Sequence, residues 1–417
     1  MRESRPSKTT SAMGRWGALL IVGLGASEVL IMISPFAGFF YTGVRFEPLL
    51  GLLSLSPLTA WLDGFFLNHA AVTTSRVLEW QRTIGRYLFA LGLWGFLISA
   101  GQVYGKKILR RGVATGLLYR FSRHPQYLCL GVAGWGLLTI WPRFLLLGLW
   151  VTMLFLYAGL ARFEERRMAE RFGEEYKRYA RSRGAFLPGS PVRRLFEAGF
   201  GRLRPRPLGW ATAYALCLMV AFALGGTLRA YTRSHTAILE RPDARTIVIS
   251  AWPQPEEWVS RVADAVLADP TVQERIDPSD DRPLVATILP ARYIMKGMYY
   301  IEPDGNDARN RSGGLMRSLR RVSRLAVMFL LPIEGVTRPP DFMGIDPDAG
   351  SEPVEVVIAR AEKPYKNGLA LEEALDAGVR LTPLVVAQVA PAGGPVESVR
   401  IPLPRNRWGP RVVMPLF

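Results

Sequence analysis

Arg123, His124 and Tyr127 stand in one short stretch, Arg123-His124-Pro125-Gln126-Tyr127. About forty residues later comes a carboxylate pair, Glu164-Glu165, and then Phe172-Gly173-Glu174-Glu175-Tyr176-Lys177-Arg178-Tyr179. A guanidinium, an imidazole, adjacent carboxylates and phenols make a set that can hold a ligand bearing both signs of charge. Carboxylates accept hydrogen bonds from hydroxyls or an ammonium, the guanidinium and imidazole face an anion, and the phenols stack or donate. Between the two clusters lie apolar segments 126–141 and 144–161, turning at Trp141-Pro142-Arg143. A hairpin of this kind returns the chain to the face it left, so both clusters fall at one membrane face. Ionisable groups at such a place are costly to dehydrate and read as a functional site.

The elements that must position these residues are membrane spans. The chain has 417 residues and a net charge of +17, room for two or three domains. Residues 231–417 carry 23 Lys and Arg against 24 Asp and Glu, so residues 1–230 carry +18. The excess belongs to the apolar half, where it reports topology and contact with anionic headgroups. Nucleic acid is not expected as a partner. Apolar stretches at 16–34, 85–104, 126–141, 144–161 and 209–228 predict about five spans. Residues 16–34 read as an uncleaved first span, containing Glu28, rather than a signal peptide. Segment 48–67, broken by Pro57 and Asp63, reads as an interfacial or re-entrant helix or a further span. The basic loops 105–125 and 162–207 are expected in the cytoplasm. The last span then exports residues 231–417.

The expected fold is therefore a multi-pass α-helical membrane domain followed by an exported α/β or α+β soluble domain. Its divisions are 1–207 (core 80–190), a last transmembrane span at 208–230, and 231–417. In the exported half, strands are expected at 246–250, 284–289, 325–331, 354–359 and 383–389, and helices at 255–268, 313–324 and 369–377. Residues 301–312 and 332–353, rich in Gly, Pro, Asp and Asn, read as loops. Arg317, Arg320, Arg321 and Arg324 share one face of the helix expected at 313–324. That stripe reads as a solvated face, with phosphate or anionic lipid as the alternative. Asp277, Asp280 and Asp281 lack the spacing of a calcium loop. Cys129 and Cys217 both lie in apolar segments, so the exported half has neither a disulfide nor a Cys-based metal site.

The order Tyr119 to Tyr127, hairpin, Glu164-Glu165, Arg171 to Tyr179 and Phe186-Leu187-Pro188 resembles the isoprenylcysteine carboxyl methyltransferase and phospholipid methyltransferase superfamily. The resemblance covers roughly residues 80–190. It implies an integral membrane enzyme of the inner (cytoplasmic) membrane that uses S-adenosylmethionine and no metal. By resemblance, His124, Tyr127, Glu164 and Glu165 bind the cofactor, with Arg123, Tyr176 and Tyr179 beside them. The implied chemistry is direct methyl transfer to a lipid or isoprenoid-linked carboxylate, amine or hydroxyl that enters from the bilayer. No catalytic base is identifiable from the sequence. Arginine far exceeds lysine, a bias of GC-rich bacterial coding sequences, so a membrane lipid or isoprenoid is expected in place of a prenylated protein.

One position departs from the family. Where His-Pro-x-Tyr-x-Gly has glycine, this chain has Cys129, and glycine follows only at Gly131. Glycine there would admit close backbone approach to a ligand, so Cys129 puts cofactor affinity in question. Taken singly, the tyrosines read as interfacial aromatics and Glu164 and Glu165 as partners of Arg167 along a helix. The joint pattern is what points to a site. Two other readings compete with the methyltransferase: an NADPH-dependent sterol-type membrane reductase, and an inactive scaffold presenting 231–417 to a periplasmic partner. Pro125 and the Glu164-Glu165 pair favour methyl transfer.

Overall fold

A computed structural model describes residues 30, 33–40, 47–69, 71–109, 115–188, 191–277, 279–291, 299–300 and 353–403. The first expected span, with Glu28, lies almost wholly outside these residues. So do the strand expected at 325–331, the helix at 313–324 with its arginine stripe, and the loops 301–312 and 332–353. Packing divides the chain into two units. One comprises Met1–Thr42, Leu91–Gly134 and Leu149–Leu216, and the other Gly43–Ala90, Trp135–Gly148 and Cys217–Phe417.

The helices of seven residues or more that bear on the site and the sheet, among the described residues, are α1 (Glu47–Leu53), α2 (Arg76–Ile108), α3 (Pro125–Ile140), α4 (Phe144–Ser182), α5 (Pro191–Phe200), α6 (Arg206–Ser234) and α7 (Glu256–Leu267). Among the described residues, α2, α4 and α6 are long and apolar enough to cross a membrane. Helix α3 has 16 residues, about 24 Å at 1.5 Å per residue, short of the ~30 Å hydrocarbon core. Segment 48–67 is not one continuous helix. It divides into α1 and a 3₁₀ turn, Ala60–Asp63, with Pro57 between them, which excludes a single helical crossing there.

In the first unit, α2 and α3 meet backbone to backbone. A Cβ on Gly92 would fall 2.4 Å from the amide nitrogen of Ala133 and 2.6 Å from the carbonyl oxygen of Cys129. Apolar helices in lipid gain no hydrophobic drive to associate, so close packing of small residues supplies it. Helix α4, 39 residues long, spans ~58 Å, far more than a bilayer. Its apolar first half accounts for the crossing and its charged second half runs beyond it. Within that half, Gly173 adopts φ 53° and ψ −128°, a break in the helix that a residue with a Cβ would resist.

In the second unit, the hairpin turn between α3 and α4 is clamped. The amide of Phe66 donates to the carbonyl of Pro142 (2.9 Å), and the amide of Phe144 donates to that of Gly64 (3.0 Å). Arg143 pairs with Asp63, and its guanidinium lies 5.1 Å from the Phe65 ring centroid and 5.8 Å from that of Trp141.

The same unit holds a six-stranded mixed sheet in sequential order: β1 (Leu239–Arg241), β2 (Thr246–Ser250), β3 (Leu284–Pro290), β4 (Val354–Glu362), β5 (Arg380–Val389) and β6 (Val396–Arg400). Among the described strands only β2 and β3 run parallel, joined by a crossover through α7. Strands β2 and β3 are buried along their whole length, as continuous β-branched runs predict for central strands. Trp258, Val259, Val262, Ala263 and Val266 form the buried face of α7. Strands β2 to β5 stand where the sequence predicts them. The helix expected at 369–377 is only a 3₁₀ turn, Leu371–Leu375, and β1 and β6 were not foreseen.

The sheet is fastened to neighbouring elements of its unit by arginines. Arg229 donates to the carbonyls of Phe65 and Leu375, Arg233 to Asp376 and the carbonyl of Glu372, and Arg380 to Ser54 and the carbonyl of Gly51. Ala71 lies within the sheet's apolar core. In the sheet, Asp280 pairs with Arg282 and Arg360. His235 lies against Tyr231, ring centroids 4.2 Å apart.

Candidate active site

Chain order and helix spacing bring the two polar clusters together. His124 immediately precedes α3, and Tyr127 lies one turn further on, on the same face. Glu164 and Glu165 lie on α4, whose direction is opposite across the hairpin. The segment before α3 is held in place by the segment after α4. Arg123 and His124 donate their amides to the carbonyls of Gly184 and Ala185, each at 3.0 Å, and the Ser122 hydroxyl donates to Ala185 at 2.9 Å.

His124 sits between the two carboxylates. Its Nε2 is 3.0 Å from Glu165 Oε1 and its Nδ1 is 3.5 Å from Glu164 Oε2. Arg123 Nη2 reaches the same Glu165 oxygen at 2.9 Å, while its Nη1 donates to the carbonyl of Ala180 at 3.1 Å. The Tyr127 hydroxyl donates to Glu164. Burial opposes charging of His124, but its bonds to Glu164 and Glu165 outweigh burial, and its pKa lies above the ordinary histidine value. Glu165 is the more enclosed carboxylate, its side chain 26% exposed, and Glu164 the more open, at 44%.

Arg123, His124, Tyr127, Glu164 and Glu165 thus form one contiguous network. Tyr179 is not bonded to the carboxylates; its hydroxyl donates to the carbonyl of Tyr119 at 2.8 Å. Tyr176 is buried, its ring 6.1 Å from that of Tyr179. Tyr179, carried past the break at Gly173, braces the loop that presents His124, and Tyr176 packs beside it.

Sequence reasoning missed Tyr157. It is 1% exposed and stacks on Tyr127 with ring centroids 4.9 Å apart and planes 21° from parallel. Its signal was present, since Tyr157 precedes Glu164 by two helical turns and so shares its face of α4. Phe186, from the terminal Phe-Leu-Pro, lies 6.0 Å from the His124 ring.

Cys129 faces away from this network. A Cβ on Gly95 would fall 2.7 Å from its Sγ, so the thiol fills the space that Gly95 leaves on α2. The side chain that stands in for glycine is thus accommodated by helix packing. Replacing Cys129 by Gly is expected to leave cofactor affinity within about twofold, while costing about 1–2 kcal/mol of stability for the lost contact and the helical glycine. Ligand titration beside thermal unfolding separates the two effects.

The donor set fits S-adenosylmethionine. Glu164, the more open carboxylate, could accept hydrogen bonds from its ammonium or ribose hydroxyls, and the Arg123 guanidinium could face its carboxylate.

Residues 80–175 match the sequence model of the phospholipid methyltransferase family. Methanethiol S-methyltransferase 1 of Bradyrhizobium diazoefficiens is 33% identical over 96 residues, which are 23% of this chain and 33% of that protein. The match thus spans a third of that relative's length. No solved structure matches the chain. The matched segment holds the hairpin, the His124 and Tyr127 cluster and the Glu164-Glu165 pair, so the likeness to the phospholipid methyltransferase family falls on the segment that carries the expected superfamily resemblance.

Proposed function

We propose that this protein is an S-adenosylmethionine-dependent membrane methyltransferase acting on a lipid or isoprenoid-linked acceptor. The observation that carries the reading is His124 lying between Glu164 and Glu165, with Arg123 and Tyr127 closing the network. S-adenosylmethionine supplies an electrophilic methyl group when bound. Glu164, the more open carboxylate, holds the cationic part of the ligand. Glu165 fixes Arg123, which faces the ligand's carboxylate, and His124, which bridges the two glutamates and holds them in place. Tyr127 and Tyr157 wall the pocket and exclude water, so that the chain contributes alignment and a dry site. Tyr179 supports the loop 119–124, with Tyr176 packed against it.

The basic loops 105–125 and 162–207 support a cytoplasmic cofactor site, and with it the placing of residues 231–417 on the extracytoplasmic side of the inner membrane. Five crossings result when the expected first span and the short helix α3 both cross beside α2, α4 and α6.

A second reading concerns the acceptor alone. A small thiol is favoured by the likeness to a methanethiol S-methyltransferase. Membranes carrying the protein, supplied with methyl-labelled S-adenosylmethionine and methanethiol together, test both. Label in the lipid extract supports the lipid acceptor. Label only in dimethyl sulfide transfers the reading to the thiol, and label in neither product overturns both.

A further inference from the structure

Between α4 and α6 the chain makes an elbow, α5 and the loop to residue 206, whose surface combines exposed arginines with exposed leucines. Arg194, Arg202, Arg204 and Arg206 are all exposed, and none makes an ion pair among the described residues. Glu197 is the single acidic residue in 191–207. Leu195 and Leu208, set among these arginines, are 74% and 49% exposed.

The other side of the elbow is anchored. Phe196 and Phe200 stack with ring centroids 5.7 Å apart, and Phe196 lies 5.0 Å from the ring of Trp210. The guanidinium of Arg162 sits 4.0 Å over the Trp210 ring, a cation–π contact. Thr152 and Tyr214 share a hydrogen bond of 2.8 Å, and Phe155 lies 5.2 Å from Tyr214, fixing α6 to α4. Arg162 is two residues before Glu164 on the same helix, so the elbow is anchored within one turn of the carboxylate pair.

We propose that this elbow is a docking platform for the phosphate-bearing headgroups of anionic phospholipids, placed beside the methyl-transfer site. Unpaired arginines interleaved with exposed leucines on an amphipathic helix suit the headgroup boundary of a bilayer, where leucine enters the acyl region and arginine meets phosphate. A purely solvated face explains the arginines but leaves Leu195 projecting into water at the middle of a helix. The platform's role next to the site rests on the methyltransferase reading, whereas lipid retention is measured without turnover and stands or falls by itself.

Native mass spectrometry of the full chain, purified in detergent and mixed with equal phosphatidylglycerol and phosphatidylcholine, tests the proposal. The wild type is expected to retain phosphatidylglycerol preferentially. Each arginine near a charged surface contributes a factor of about 5, so Arg202→Gln/Arg204→Gln/Arg206→Gln lowers that preference on the order of 100-fold. The control Arg110→Gln/Arg111→Gln, in the other basic loop, keeps it. An unchanged preference in the triple variant, or an equal loss in the control, overturns the proposal. So does displacement of the lipid by a modest excess of inorganic phosphate, which would assign the site to a free anion.

Discussion

Arg143→Ala is expected to destabilise the protein by about 3–5 kcal/mol, the cost of leaving one member of a buried ion pair alone. Arg143 is 2% exposed and Asp63, its partner, 12%. The arginine also lies over Phe65 and beside Trp141, so its removal opens a void as well as stranding a charge. Asp63→Asn should be milder, because the amide still accepts a hydrogen bond from the guanidinium while the uncompensated charge is then the arginine's. The double replacement by apolar residues of similar volume should recover much of the loss, since a desolvated pair gains little over well-packed hydrocarbon. Thermal unfolding of the four proteins in one detergent gives the comparison. If Arg143→Ala melts within 2 °C of wild type, the pair is not the clamp described for the hairpin turn.

The second large effect is on the ligand. Glu165→Gln removes a charge that Arg123 and His124 both contact while keeping the shape of the side chain. A hydrogen bond to a charged group is worth about 1.5–3 kcal/mol, so S-adenosylmethionine affinity should fall about 10- to 100-fold. His124→Ala should fall as far, because it leaves Glu164 and Glu165 facing one another without the imidazole between them. Tyr127→Phe, which loses only the hydroxyl that donates to Glu164, should fall less, about fivefold. Titration of each variant beside its melting curve separates loss of the site from loss of the fold. Equal affinity in folded Glu165→Gln and wild type would remove Glu165 from the site.

Much of this was legible in the chain, for reasons that differ by element. The hairpin was readable because Pro142 interrupts a long apolar run and polar clusters flank it on both sides. The site network was readable because histidine, tyrosine and paired carboxylates have few other reasons to recur at one membrane face. Strands β2 to β5 are β-branched runs with no competing helical period. Strands β1 and β6 were not readable, because Leu239-Glu240-Arg241 and Val396-Glu397-Ser398-Val399-Arg400 are short, charged edges, the form that protects an edge from mispairing and also erases its pattern. The pairing of Asp63 with Arg143 joins residues 80 positions apart, and no local period announces it. Asp63 in the sequence only interrupts an apolar run. The space for Cys129 is made by Gly95 on a different helix, a compensation that a motif read by itself does not contain. Tyr157 was missed because an aromatic in an apolar span is ordinarily packing. Only the stacking on Tyr127 sets it apart.

The central claim is that the network of Arg123, His124, Tyr127, Glu164 and Glu165 holds S-adenosylmethionine. Calorimetric titration of the cofactor into the detergent-purified wild type, with NADPH as the comparison ligand, tests it most directly. The account predicts saturable binding of S-adenosylmethionine at one site and no binding of NADPH. A folded protein that binds neither, or NADPH alone, would contradict it.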